Sequence, residues 1–489
     1  MDAQRAWTRI LAAVCYLLAP LPAAAQPGLI GSRTVAPGVV HKEFTLPGPN
    51  TLDVLEITIN NPLISLESYK PGGLTRTTTQ ASANDRVGHR VIGAINADFF
   101  SFETGWPVGN QVVNGVFALG VSSQRSHLVV DNSGRPSIDR LAFRGALLAG
   151  SGVTQQVAGV NVNRTGDILV LYNAFRGPTT GTDGSGIECA VEFLDSPPTA
   201  GDTLRARVTS KVNGGNTTLP AGNTGVLSAA AGTAATFVTG NLQVGDTVRI
   251  VLGFNRPLRH ILQTLGGAGR ILLGGRNVTD SMAAFEGISA SFTDARHPRT
   301  FVGFNTDTST IFLCTVDGRQ ASSIGMTFDE MAGFLLSIGA SEAFNFDGGG
   351  STTMVVSNAI VNSPSDPGGE RSVANSLQVV ATTTETNAIE PEGMLPEKFQ
   401  LFQNFPNPFN PSTALRYALP VDSFVRLTVH NTLGQRVEDV LNNRCSAGVH
   451  EVLWSPRLAS GVYFVTLQAT PAAGADAPYT ATKSLVLLK

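Results

Sequence analysis

The chain has 489 residues, 42% of them apolar and only 15% charged, where about 25% charged is usual for soluble proteins. That composition can fill cores in about two to four domains; it excludes a charge-rich disordered protein and leaves little material for a coiled coil. With a net charge of −3 there is no basic excess to neutralise a phosphate backbone, which argues against nucleic-acid binding.

In chain order, Arg5 and Arg9 precede a short apolar run, Ile10 to Leu18, and the small residues Ala23, Ala24 and Ala25. This pattern predicts a signal peptide over residues 1–25, too short for a comfortable membrane span. No later run of about 18 apolar residues follows, so the mature protein is expected not to span a membrane. The main body is expected over 26–383. VLEITINNPLISLESYKP (54–71) alternates and reads as strands. Ser82–Arg90 suits a helical turn and Val91–Ile95 a buried strand. Residues 130–255 are rich in Gly, Thr and Asn turns with almost no helical period, a β-rich section closing on the strand VGDTVRIVLGF (244–254). In Phe328–Ala340, Met331, Phe334, Leu335 and Ile338 fall at i, i+3, i+4 and i+7, an amphipathic helix that Gly339 can end. AFNFDGGGSTTMVV (343–356) reads as strand, tight turn, strand, and Ser376–Ala381 as another strand. Together these predict an α+β catalytic domain with extensive mixed β-sheet.

A Thr-, Glu- and Pro-rich linker is expected over 384–400. In 401–489 the prolines Pro406, Pro408 and Pro411 fix an extended entry. VRLTVHNTLGQRV, GVHEVLW, GVYFVTLQA and KSLVLLK then alternate as strands, predicting a small all-β sandwich, Ig-like. Beyond Cys15, Cys189, Cys314 and Cys445 remain. They form neither a disulfide framework nor a CxxC zinc pattern, allow at most one bridge, and read as buried small hydrophobes.

The chain lacks GxSxG, HExxH, GxxxxGK[ST] and a full GxGxxG. What stands out is Asp347-Gly348-Gly349-Gly350-Ser351-Thr352, an acid at a strand end before a triple glycine. Such a turn can bring backbone N–H groups to an anion, with two hydroxyls adding donors; alone it could also be a sharp hairpin with a capping Asp. Asn96 and Asp98 sit at i and i+2, on one face of a continuing strand. Glu370 and Arg371 precede Asn375 in a Pro/Gly loop, and Arg is the usual bidentate clamp for phosphate or carboxylate. Arg299 lies at the mouth of a further strand. Asp317, in Asp317-Gly318-Arg319, lies between the strand IFLCTV (311–316) and the helix. Singly, each could be a core or surface group.

GAINADFF, LGGAGRILLGG, HPRTFVGFN, TVDGRQASSIGMTFDEMAGFLLSIGASEAFNFDGGGSTTMVV and VNSPSDPGGERSVANSL occur in the order of the phosphodiester glycosidase family. NVNRTGDILVLYNAFRGPTTGTDGSGIE (161–188) resembles its bacterial members. The likeness spans roughly residues 54–381, and DGGGST with ERSVAN is its most specific part. One departure is Asn96-Ala97-Asp98, where many relatives carry glycine at one of the last two positions. The resemblance implies cleavage of a sugar–phosphate bond at the anomeric carbon of an N-acetylglucosamine-like sugar-1-phosphodiester. In that scheme Asp347 is the first-choice catalytic carboxylate, with Glu370 and Asp98 next. Arg371, Arg299, Asp317 and the Gly348–Thr352 turn bind substrate, the arginines and turn gripping phosphate, and Asn96 and Asn375 meet sugar hydroxyls or an acetamido group. No cofactor is called for; a divalent cation on the carboxylates is compatible with the pattern, without a linear calcium motif. PNPFNP, NTLGQRV, SGVYFV and the terminal Lys489 resemble the type A sorting domain of the type IX secretion system. This implies export by a Gram-negative bacterium, to the medium or the outer cell surface, with residues 401–489 meeting the secretion machinery. Two alternatives stay open: a non-catalytic carbohydrate-binding protein of the cell envelope, and a glycan hydrolase of another bond type.

Overall fold

The computed structural model describes residues 28–382 and 398–487, apart from 124, 196–199, 221, 405–406, 408, 410–412, 455, 457 and 473–477. The expected signal peptide, most of the linker, Pro406, Pro408, Pro411 and Lys489 lie outside the described residues. The chain divides into two compact units, Met1–Thr386 and Asn387–Lys489.

The first unit overturns the expected α+β domain. Strand makes up 51% of the structure and helix 10%; the helices are short pieces laid against sheets. Residues 143–254, expected only to be β-rich, close into a seven-stranded barrel. Its strands Thr203–Asn213 and Thr247–Phe254 alternate exposed and buried residues, aiming Leu204, Ala206, Val208, Val248, Ile250 and Leu252 into one apolar cluster. Alternation of that kind is what a closed sheet filled by side chains requires. A helix in this section, Gly232–Asn241, had no visible period. Its AGTAATFVTGN sequence is nearly uniform in polarity, and only Ala234, Phe237 and Val238 mark its buried face.

An eight-stranded sheet carries Arg299–Phe304 and Thr310–Val316 near its centre, with Glu342–Asn345 beside them. The expected amphipathic helix forms over Phe328–Ser337. Thr327 accepts from the Glu330 N–H while Glu330 reaches back to the Thr327 N–H, a complete capping box. Met331, Phe334 and Leu335 are buried against the sheet with Phe44 and Phe301, each contributing about 1.5–3 kcal/mol. Gly339 follows at φ +93°, the left-handed conformation that ends the helix.

The sheet that matters most for the site has five strands in the order Ala359–Ile360, Met354–Val356, Arg90–Asn96, Ser376–Ala381 and Ile64–Tyr69. Tyr69 pairs with Ser376, and Ser376 with Asn96. The residues following Tyr69 and Asn96, and those preceding Ser376, therefore emerge at one end of this sheet.

In the second unit, a three-stranded and a four-stranded antiparallel sheet share one apolar cluster that includes Phe409, Tyr417, Leu427, Trp454 and Leu467. Cys189, Cys314 and Cys445 are all unbridged, the first two buried. Among the described residues no helix is long and apolar enough to cross a membrane.

Candidate active site

Asn96 joins two sheets. Its amide nitrogen donates to the Asp347 carbonyl (2.7 Å). Its amide oxygen accepts from the Thr300 hydroxyl (2.7 Å) and the Thr353 N–H (3.0 Å). It is fully buried, with both polar atoms engaged, so it positions the site instead of meeting sugar. The Asp347 N–H donates to the Ala97 carbonyl at 2.8 Å. This brings Asp98 and Asp347, 249 positions apart in the chain, to neighbouring backbone segments.

Asp98 is 2% exposed. Its Oδ2 accepts from the Gly109 N–H at 2.7 Å, while its Oδ1 is buried without a partner. A Cβ at Gly266 would lie 2.4 Å from Asp98 Oδ2, and one at Gly109 2.8 Å from it; glycine at both positions lets the chain close around the carboxyl. Burial pushes its pKa up to about 7, and the nearby Asp347 charge adds to this; the Gly109 bond and the Arg125 charge pull the other way. Asp347 is half-buried at the bend. Burial pushes it to about 6, against the opposing pull of Ser351, the Gly348 N–H and the Arg371 charge. Gly348 N lies 3.0 Å from Asp347 Oδ1. The Ser351 hydroxyl faces the carboxyl without the alignment of a full hydrogen bond.

The triple glycine forms a 3-10 turn over Gly349–Ser351, not the simple hairpin bend. Two guanidinium groups lie on it. A Cβ at Gly349 would stand 3.1 Å from Arg319 Nη2, and one at Gly350 2.2 Å from Arg371 Nη2 and 2.0 Å from Asp366 Oδ1. Arg371 and Asp366 form a bidentate pair at 2.8 and 2.9 Å. The Arg371 fork is thus already occupied on its Nε/Nη2 edge, by an acid the sequence reading passed over. The hydroxyls of Ser351, Thr352 and Thr353 are all buried without partners.

Three other expected residues have their side chains engaged elsewhere. Arg299 is 1% exposed and donates to the carbonyls of Met326, Phe292 and Ala295. Its Cζ lies 4.7 and 5.0 Å from the Phe292 and Phe328 ring centroids, and burial with the nearby Arg319 charge lowers it to about 10. It braces the loop beneath the site and does not clamp phosphate. Glu370 accepts from the Thr78 N–H (2.9 Å) and Thr78 hydroxyl (2.6 Å). It caps the helix Thr77–Asn84, which has no cap of its own, and its carboxylate is satisfied there by an otherwise orphaned N–H. Asp317 accepts from Asn362, Ser363 and Thr51 and ties loops together; its pKa is raised by burial. Asn375 receives the Asp98 N–H (2.9 Å) and donates to Gln111 (3.1 Å), holding the Asp98 backbone.

Two further cations lie near the turn and the acids, Arg319 beside Gly349 and Arg125 near Asp98, and neither forms an ion pair among the described residues. Arg319 is exposed, takes a φ of +61°, and brings Nη2 to 3.4 Å from His297 Nδ1. A positive φ in a non-glycine residue costs about 1 kcal/mol or more, and no sequence signal reveals it. Arg125 acts on Asp98 through its charge and faces the Phe99 ring at 5.9 Å. Behind it His127 is fully buried; Nδ1 donates to the Arg125 carbonyl and Nε2 accepts from the Asn110 N–H, and burial lowers its pKa to about 4. It is therefore a neutral structural ring. Among the described residues the single cluster of three metal-ligand types is His41, Glu43 and Asp53, which includes none of the acids above.

A buried carboxyl, a half-buried one and a glycine turn flanked by two guanidinium groups are thus brought together. Residues 203–380 match the phosphodiester glycosidase family model. That segment contains Asp347, Arg319 and Arg371, and marks this part of the chain as phosphodiester glycosidase-like, a hydrolase type. A hypothetical protein from Synechocystis shares the fold at a TM-score of 0.56 with 19% identity, over 73% of this chain and 64% of that one. A structure from Burkholderia pseudomallei does so at 0.52 with 24% identity, over 68% and 74%. The zebrafish N-acetylglucosamine-1-phosphodiester alpha-N-acetylglucosaminidase catalytic domain aligns at 0.38 with 16% identity, over 73% and 85%. An uncharacterized SPbeta prophage-derived protein of Bacillus subtilis is 37% identical over 95 residues, which is 19% of this chain and 14% of that protein.

Proposed function

We propose that the first unit hydrolyses a sugar-1-phosphodiester, releasing free sugar and a phosphomonoester. The observation that carries this is the pairing of Asp98 and Asp347, both raised by burial to about 7 and 6, beside the Arg319- and Arg371-flanked turn. Near neutral pH Asp98 holds a proton that Asp347 has lost. Ionised Asp347 activates water or stabilises the oxocarbenium-like centre, and protonated Asp98 donates to the departing phosphate oxygen. A phosphate leaves readily once its charge is met, so oriented cations do much of the work. Arg319 and Arg125 are free to do this, with the remaining edge of Arg371. The motif likeness to the phosphodiester glycosidase family supports an N-acetylglucosamine-like sugar.

The test is a panel of sugar-1-phosphodiesters against plain glycosides of the same sugars, with and without chelator. Turnover confined to the phosphodiesters supports the proposal; turnover of plain glycosides alone, or binding without product, overturns it.

We also propose that residues 401–489 are a type IX sorting domain, acting after a signal peptide at 1–25, and that the protein works outside the cell or on its surface. The motif order and the self-contained β-unit support this. In a host with that secretion system, removing 401–489 should leave the protein in the periplasm; unchanged surface or medium levels would refute it.

A further inference from the structure

Lys70 immediately follows Tyr69, so the register Tyr69–Ser376–Asn96 puts it at the same sheet end as Asp98. Its ammonium lies 3.9 Å from the Trp106 ring centroid, and its one hydrogen bond among the described residues is to the Pro71 carbonyl (3.0 Å). From the barrel side, Arg176 Cζ lies 5.9 Å from the same centroid. Arg176 is held by the Thr180 and Asn161 carbonyls and the Asn163 side chain, all neutral. Among the described residues no carboxylate pairs with either cation; Glu103, in the same loop, is exposed and pairs with neither. Burial lowers the Lys70 pKa to about 8, as expected for an ammonium taken partly from water without a counter-charge.

Two cations gathered on one indole repel each other within a screening length of about 10 Å. The ring face recovers part of that cost. An anion would recover more. The platform is also rigid. Within the loop, Ser101 N–H donates to the Trp106 carbonyl, Gly105 N–H to the Ser101 carbonyl and Val108 N–H to the Phe99 carbonyl. The Asp98–Gly109 bond closes the loop at its base.

We propose that Lys70, Trp106 and Arg176 form a second anion subsite beside the acid pair, taking a phosphate or a sugar carboxylate on a part of the ligand remote from the cleaved bond. The ammonium keeps two N–H donors for it, and the guanidinium keeps one N–H on each Nη. The substrate class is thereby narrowed to glycans or glycoconjugates with two negative groups. The subsite rests on its own geometry and does not require that the acid pair cleave a phosphodiester.

Trp106 is the reporter. The chain has three tryptophans; Trp7 falls in the expected signal peptide, and Trp454 can be replaced. In protein starting at Gln26 and carrying Trp454→Phe, inorganic phosphate and glucuronate are titrated separately at constant ionic strength while Trp106 emission is followed. A saturable change with at least one probe is expected; phosphate alone assigns a phosphate, glucuronate alone a sugar carboxylate, both a general oxyanion site. Lys70→Met should weaken binding at least tenfold, Lys70→Arg should retain it, and Arg319→Ala should leave it unchanged. No saturable response to either probe overturns the subsite. So does an equal response in Lys70→Met, or loss of the response in Arg319→Ala, which would assign the anion to the acid cleft. Loss of turnover in Arg319→Ala with the Trp106 response intact would leave both proposals standing, separately tested.

Discussion

Asp98→Asn tests the burial of the acid pair without touching the backbone. The carboxyl stands near 7 in the folded protein against an ordinary value of 3.8. A difference of roughly 3 in pKa corresponds to about 4 kcal/mol between the two protonation states. Because the folded value is the higher one, the folded chain holds a proton that the unfolded chain has lost between about pH 4 and 7. Its contribution is therefore fully present below pH 4 and lost as pH rises through 7. Asparagine cannot ionise, yet keeps an oxygen to accept from the Gly109 N–H. The variant should thus lose up to about 4 kcal/mol less than the parent between pH 4 and 8, a melting gap of roughly 8 °C at the alkaline end. Melts followed by Trp106 emission in a Trp454→Phe background measure it. If parent and variant decline in parallel over that range, Asp98 is ionised in the fold and the proton assignment fails.

The pH–rate profile should be a narrow bell, with an acid limb near 6 from Asp347 and an alkaline limb near 7 from Asp98; in Asp98→Asn the alkaline limb should vanish from whatever activity remains. Arg319→Ala should leave the melting temperature within about 1 °C and lower kcat/KM at least tenfold, whereas Arg299→Ala should destabilise by several kcal/mol, about 3 or more, because three carbonyls and two rings lose their partner. Glu370→Gln should cost about 1 kcal/mol of stability through the weakened cap of helix Thr77–Asn84, with kcat unchanged; a hundredfold loss of kcat in a folded variant would restore Glu370 to the chemistry.

The sequence carried the local pieces well. The helix at Phe328–Ser337 follows from a period of 3.6, and the strand Ser376–Ala381, buried along its whole length, from the Pro/Gly loop that precedes a short, mostly apolar run. Asp347 and Asp98 read singly as a capping acid and a core acid, and they become candidates only through the order of the motifs around them. What the sequence hid is non-local. Barrel closure depends on Phe143–Leu148 pairing with Thr247–Phe254, and no residue type encodes that partnership. The direction of a charge is equally hidden. Arg299, Arg319 and Arg371 look alike in the chain, yet one is buried on carbonyls, one lies on Gly349 against His297, and one is held by Asp366. Glu370 beside Arg371 reads as half of a site, whereas it points the other way, to Thr78. The small-residue helix Gly232–Asn241 gave no period to read.

The central claim is that Asp347 and Asp98 direct cleavage to the sugar side of a sugar-1-phosphodiester, and running the hydrolysis in ¹⁸O-labelled water tests it most directly. Mass analysis should find the label in the released sugar and none in the phosphomonoester, with turnover reduced at least a hundredfold in Asp347→Asn. Label in the phosphate, or undiminished turnover in that variant, would contradict it.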